Sequence, residues 1–206
     1  PSSENVYISQ MNKKIKNINI ETKEAMTGHM FFGAHKYLKK RNYTYTTFLR
    51  EPLDRARSYY FYMLRYPDME ISKIIKKNHI SLSKFLLLDD NEIFNYGFNN
   101  RAKEEIKLII NNGQARTLIE YDENIDECLQ EKVMQNINKN FLLLGTVEYF
   151  NESIMILCKY LNFKKNYFFL STNKNNYKIL DNDSLDIKTI DQFYENNNID
   201  LKLHEY

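Results

Sequence analysis

At Arg50 a run of β-branched and aromatic residues breaks directly into a helical stretch, and that junction limits the folds open to this chain. Residues 43–49, Tyr-Thr-Tyr-Thr-Thr-Phe-Leu, read as a buried strand. From Pro52 no breaker intervenes before Pro67, which predicts a helix over 52–66. Proline suits the first helical position because its missing N–H has no partner to lose there. Arg50 therefore ends a strand just ahead of a helix N-terminus. Unpaired N–H groups and the helix dipole favour negative charge at such a place. Arginine adds a planar, two-pronged donor matched to phosphate oxygens, and Ser58, two turns into the helix, adds a hydroxyl. The corner is expected to bind an anion. The plainer alternative is a surface helix with a Glu51–Arg55 i,i+4 pair.

The rest of the chain alternates between short apolar runs and helical spacing. A short helix is expected over 34–40, with others near 71–77, 82–88, 102–110 and 114–119; Asn111-Asn112-Gly113 is a turn signal between the last two. Residues 126–140 form an amphipathic pattern with Cys128, Leu129, Val133 and Ile137 on one side. Phe141 to Gly145 reads as a central parallel strand, followed by a helix over 149–162 capped near Asn151 or Ser153. Two helices, 184–197 and 199–206, close the chain. The expected class is α/β with a central parallel sheet flanked by helices, and 206 residues suit one domain, 1–206.

Composition narrows the function classes. A net charge of +2, well mixed along the chain, lacks the basic stripe of a dedicated nucleic-acid binder. No run of about 18 apolar residues occurs, so no membrane span is expected, nor is a signal peptide. Cys128 and Cys158 are too few for a disulfide framework and fit no metal spacing; with apolar neighbours, both are expected to be buried free thiols. Asn42, Asn151 and Asn182 begin glycosylation tripeptides, which carry no weight in so asparagine-rich a sequence.

The stretch Arg50-Glu51-Pro52-Leu53-Asp54-Arg55-Ala56-Arg57-Ser58-Tyr59-Tyr60 fits R-[DE]-P-x-x-R-x-x-S-x-Y. It resembles the 3′-phosphate-binding element of carbohydrate sulfotransferases that use PAPS (3′-phosphoadenosine-5′-phosphosulfate), the group that includes heparan sulfate 2-O-sulfotransferase. The likeness continues through Tyr59 to Tyr66, and Glu51 stands where the family usually has Asp. It implies a P-loop-like sulfotransferase fold with Arg50 and Ser58 on the donor's 3′-phosphate. Phe141 to Glu148 and the helix after it are similar to the family's V-G-x-x-E unit, assigned to the core. Asn112-Gly113-Gln114-Ala115-Arg116-Thr117-Leu118 resembles its N-x-Q-T-R-x-L element. Gln114 and Arg116 could face an anionic acceptor or cap their helix, and both readings stay open. Asn198, Asp200, Leu201 and Leu203 resemble the family's closing pattern, which concerns packing.

Thr27-Gly28-His29 resembles the family's H-G-H segment with its first histidine replaced. The resemblance implies His29 as the base that removes the acceptor hydroxyl's proton, a role suited to a group titrating near neutrality; His35 is the fallback on the acceptor side. His79 and His204 are expected at the surface. Thr172, Asn173 and Lys174 fall where relatives place a polar loop over the 3′-phosphate and adenine. The family's P-K-T-G-G-T loop for the 5′-phosphosulfate has no counterpart, which implies a truncated N-terminus or a degenerate member.

The function expected is transfer of a sulfuryl group from PAPS to a carbohydrate hydroxyl, with no metal. The alternative is a non-catalytic sulfotransferase-like protein that binds a nucleotide or an anionic glycan. A third reading, a P-loop-like phosphotransferase, lacks a G-K-[ST] motif. The compartment expected is the cytoplasm if the protein is bacterial, or the Golgi lumen with the anchor removed.

Overall fold

Two strands lie side by side and parallel: β1, Tyr45–Leu49, and β2, Phe141–Thr146. The computed structural model describes residues 31–37, 42–120, 128–162 and 185–206, which are mostly helical around this sheet. The register runs from Thr46 opposite Leu143 to Leu49 opposite Thr146, with an irregularity between Tyr45 and Thr46. Parallel partners cannot be joined by a tight hairpin, and the helical middle of the chain makes the crossover.

β1 passes through Arg50 and Glu51 into α1, Pro52–Arg65. Next come α2 (Glu70–Lys77), α3 (Leu82–Leu86), α4 (Asp90–Asn95) and α5 (Asn100–Ile110). Side chains start three of these helices. Ser81 accepts from the Lys84 N–H, Asp89 forms a capping box with Glu92, and Asn99 accepts from the Ala102 N–H. Helix α4 escaped the sequence reading, although Asp89 and Glu92 carry its box. Ala56, Tyr60 and Met63 recur at helical spacing along α1. They centre the larger core with Ile75, Phe85 and Ile106.

A second cluster joins the sheet to α6 (Gly113–Thr117), α7 (Leu129–Asn140) and the last helix, through Leu49, Ala115, Leu118, Val133, Ile137 and Leu203. Helix α8, Phe150–Tyr160, crosses β2 with Ser153 as its one buried residue. The approach is close: a β-carbon on Gly145 would lie 2.8 Å from the Ser153 side chain and 3.0 Å from Phe48. The strands are less enclosed than expected. Only Leu49 in β1 and Gly145 in β2 are buried, because each strand pairs along one edge among the described residues. Neither Asn151 nor Ser153 caps α8, which starts at Tyr149 without a side-chain cap. The cysteines differ as well. Cys128 is exposed, at the cap position before α7 and off its buried stripe, and Cys158 is half-buried.

Helices α9 (Ile187–Asn196) and α10 (Asn198–Glu205) meet at Asn197, which is fully buried. Its amide donates to the carbonyls of Ile110 and Phe193, at 2.8 and 2.9 Å, and accepts from the Asn112 N–H at 2.9 Å. Asn112 returns the arrangement. Its side chain donates to the Asn196 carbonyl and accepts from the N–H groups of Ile199 and Asp200. Two helix corners are thus stitched by reciprocal asparagines. Asn112 takes a left-handed backbone, φ 47°, which asparagine tolerates better than most residues.

Gly113 follows so tightly that a β-carbon would collide with the Leu108 carbonyl. Gly113→Ala is expected to cost about 3 kcal/mol, the upper end of ordinary overpacking. The measurement is a lower urea midpoint at unchanged slope. A wild-type midpoint would show that the turn relaxes freely.

Candidate functional site: the Arg50 corner

The carboxyl ends of the two strands converge on Arg50, and in open parallel sheets ligands bind outside that edge. The Val147 N–H donates to the Leu49 carbonyl at 2.8 Å, extending the pairing past β2. Gln114 then clamps Arg50 from both sides. The Arg50 N–H donates to Gln114 Oε1 at 2.9 Å, and Gln114 Nε2 donates to the Arg50 carbonyl at 2.8 Å. Gln114 is itself anchored at the start of α6, where its N–H and that of Ala115 donate to the Asp200 carboxylate at 2.9 and 2.7 Å. Asp200 is 1 % exposed. Burial pushes its carboxyl above the usual range, against the pull of the Ala115 and Gln114 N–H groups and the Arg55 charge.

Glu51 is fixed in the same way. Its N–H donates to Glu148 Oε1 at 3.1 Å, and His204 Nε2 lies 3.0 Å from Glu148 Oε2. Burial would raise the Glu148 carboxyl, yet hydrogen bonds from His204 and the Glu51 N–H hold it below the ordinary carboxylate range. The Glu51 carboxylate turns onto α1 and accepts from the N–H groups of Leu53 and Asp54 at 3.0 and 2.6 Å. It also accepts from the Tyr194 hydroxyl at 2.9 Å. Burial, then this carboxylate, pushes that phenol up to about 12.

These bonds correct the expected anion site. Two of the N–H groups at the start of α1 are not left for a ligand, because Glu51 has taken them. Nor does Glu51 pair with Arg55. Arg55 feels the Asp200 charge, and its Nη1 is buried without a hydrogen-bond partner. What the corner offers is the half-buried Arg50 side chain, which no hydrogen bond or ion pair engages among the described residues. Ser58 is half-buried, nearly two turns into α1.

Several nominated residues have other occupations. Gln114 is 6 % exposed and spends its amide on the Arg50 main chain, so it does not face an acceptor. Arg116 Nε donates to the Asn111 carbonyl at 3.1 Å, closing the turn behind α5. Of the two readings left open for this pair, helix and turn closure is what these bonds describe. In the closing pattern Asp200 and Leu203 are buried, but Asn197 is the buried asparagine and Asn198 is exposed.

His35 sits at the opposite end of the sheet. Its Nδ1 is 2.8 Å from the Tyr45 hydroxyl, and its ring stacks on Tyr43 with centroids 3.9 Å apart. Burial lowers its pKa, as does Lys36, with Glu120 opposing. It lines a cleft of about 400 Å³ with Phe32, Tyr43, Lys132 and Asn136. One wall is spent internally, since the Asn136 amide donates to the Leu118 carbonyl and accepts from Asn140. The five-residue strand β1 separates this cleft from Arg50, about 16 Å at the usual rise, so the structure does not bring His35 to Arg50 and Ser58. His79 is exposed, as expected. His29, Thr172, Asn173 and Lys174 lie outside the described residues.

The sequence places Glu148 in a core unit and His204 at the surface, whereas both brace the corner. The E of V-G-x-x-E was a usable signal for Glu148, whereas nothing local marks His204. Among the described residues no group of three or more His, Cys, Asp or Glu could hold a metal ion, and no helix is long and apolar enough to cross a membrane. Compared with known proteins, the chain matches no family model, no curated protein and no solved structure.

Proposed function

We propose that the chain is a PAPS-dependent O-sulfotransferase acting on carbohydrate, on a P-loop-like sulfotransferase fold, with Arg50 and Ser58 holding the donor's 3′-phosphate. The observation that carries this reading is the Arg50 corner. A guanidinium without a protein partner among the described residues stands at the carboxyl edge of a parallel pair, on a main chain clamped from both sides. In the reaction proposed, the acceptor hydroxyl oxygen attacks sulfur while the bond from sulfur to the 5′-phosphate oxygen breaks. Adenosine 3′,5′-bisphosphate leaves, and the hydroxyl proton passes to His29. Thr172, Asn173 and Lys174 are the proposed second contact to the nucleotide.

One observation favours the non-catalytic alternative, a protein that binds a nucleotide or an anionic glycan. Glu51 puts a carboxylate where free N–H groups would otherwise meet an anion, which leaves less preorganised positive potential for charge developing in transfer.

Calorimetry tests the site under either reading. Adenosine 3′,5′-bisphosphate is expected to bind more tightly than AMP, because only the former carries the phosphate that Arg50 and Ser58 address. Arg50→Ala is expected to remove roughly 1.5–3 kcal/mol of binding, the scale of a charge-assisted hydrogen bond. Equal affinity for the two nucleotides rules the site out.

A further inference from the structure

Both main-chain polar groups of Arg50, and the N–H of Glu51, end on side chains whose own anchors sit on α10. One route runs from Asp200 to the first N–H groups of α6, and from there through the Gln114 amide to the Arg50 N–H and carbonyl. The other runs from His204 to Glu148 and on to the Glu51 N–H. Asp200 and His204 are four residues apart, one above the other on a single helix face. Leu203 beside them is buried in one cluster with Leu49 and Ala115, and the same helix packs against α6 and α1.

We infer that α10 is the positioning element of the Arg50 corner: Asp200 and His204, acting through Gln114 and Glu148, fix the main chain from which the Arg50 guanidinium is presented to an anion. The step from position to affinity rests on the donor-site reading above. The mechanism is preorganisation. A long side chain on a clamped main chain has less freedom to lose on binding than one on a loose loop. None of the four residues touches the anion, so their effect must pass through Arg50.

Two measurements separate this inference from the reading beneath it. The first is residue-resolved amide exchange by NMR on the wild type, His204→Gln and Asp200→Asn. His204 is partly exposed, so its variant is the one expected to fold without difficulty. Exchange is expected to quicken at Glu51 in His204→Gln and at Arg50 in Asp200→Asn, while Ala56 and Tyr60 inside α1 keep their protection. Unchanged exchange at both positions in both variants overturns the inference, whatever the protein binds.

The second measurement is the preference for adenosine 3′,5′-bisphosphate over AMP in wild type, Arg50→Ala, Gln114→Met and the double variant. Gln114→Met is expected to reduce the preference roughly three- to tenfold, with no further loss once Arg50 is gone. An equal loss in both backgrounds would mark Gln114 as merely structural and overturn the positioning role. If Arg50→Ala leaves the preference intact, the donor-site reading falls, and amide exchange still decides whether α10 holds the corner.

Discussion

Asp200→Ala is expected to lose roughly 3–5 kcal/mol of folding stability, the range for removing one partner from a buried polar or ionic cluster. The carboxylate accepts the Gln114 and Ala115 N–H groups at the start of α6, and it is the opposite charge that the buried side of Arg55 feels. Alanine would leave both donors buried without a protein partner and strip Arg55 of that charge. For a chain of this size the loss corresponds to a thermal midpoint lower by on the order of 10 °C. Asp200→Asn is expected to fall less, because one acceptor oxygen survives. Thermal unfolding followed by circular dichroism reads both variants. An alanine midpoint within about 3 °C of wild type would mean that the α6 start finds other acceptors.

The second large effect concerns turnover. Under the proposed sulfuryl transfer, His29→Ala is expected to lower the rate by ~10²–10⁴-fold, the usual contribution of a positioned base. Affinity for adenosine 3′,5′-bisphosphate should stay at the wild-type value, because His29 is proposed to address the acceptor and not the donor. His35→Ala is the matched control. His35 lies at the amino ends of the strands, bonded to Tyr45 and stacked on Tyr43, and its loss is expected to leave transfer unchanged. Transfer of radiolabelled sulfate from PAPS to a panel of uronic-acid and hexosamine polymers reads both variants. A wild-type rate in His29→Ala removes that residue from the mechanism. A loss in His35→Ala alone would reverse the assignment, and no transfer by the wild type favours the binding-protein reading.

Local chemistry was legible in the sequence where a single element decides the outcome. The junction at Arg50 was readable because proline at the first helical position and a β-branched run before it act within a few residues; strand and helix fall at Tyr45–Leu49 and Pro52–Arg65. What stayed illegible depends on residues far apart in the chain. Gln114 in isolation serves equally well as a ligand contact or a buried clamp, and only the position of Arg50, 64 residues away, separates the two. Glu51 reads as half of a surface ion pair until the Tyr194 hydroxyl and the Glu148 carboxylate appear beside it. His204 has no motif at all, and its role comes from the packing of α10 against α6 and α1. Cys128 differs for a smaller reason: the periodicity predicts a helix from 126, whereas the helix starts at Leu129 and leaves Cys128 at its cap.

The dependence of Arg50 on α10 also has a consequence in time. A ribosome releases Arg50 long before Asp200 and His204, which follow roughly 150 residues later. At about 5–20 residues per second, the nascent chain carries an unbraced Arg50 for on the order of ten seconds or more. For more than half of that interval β1 also lacks β2, and the Gln114 clamp, once made, still lacks Asp200 behind it. Whatever anion this corner takes, a growing chain meets it with a looser Arg50, and the braced geometry follows once α10 docks.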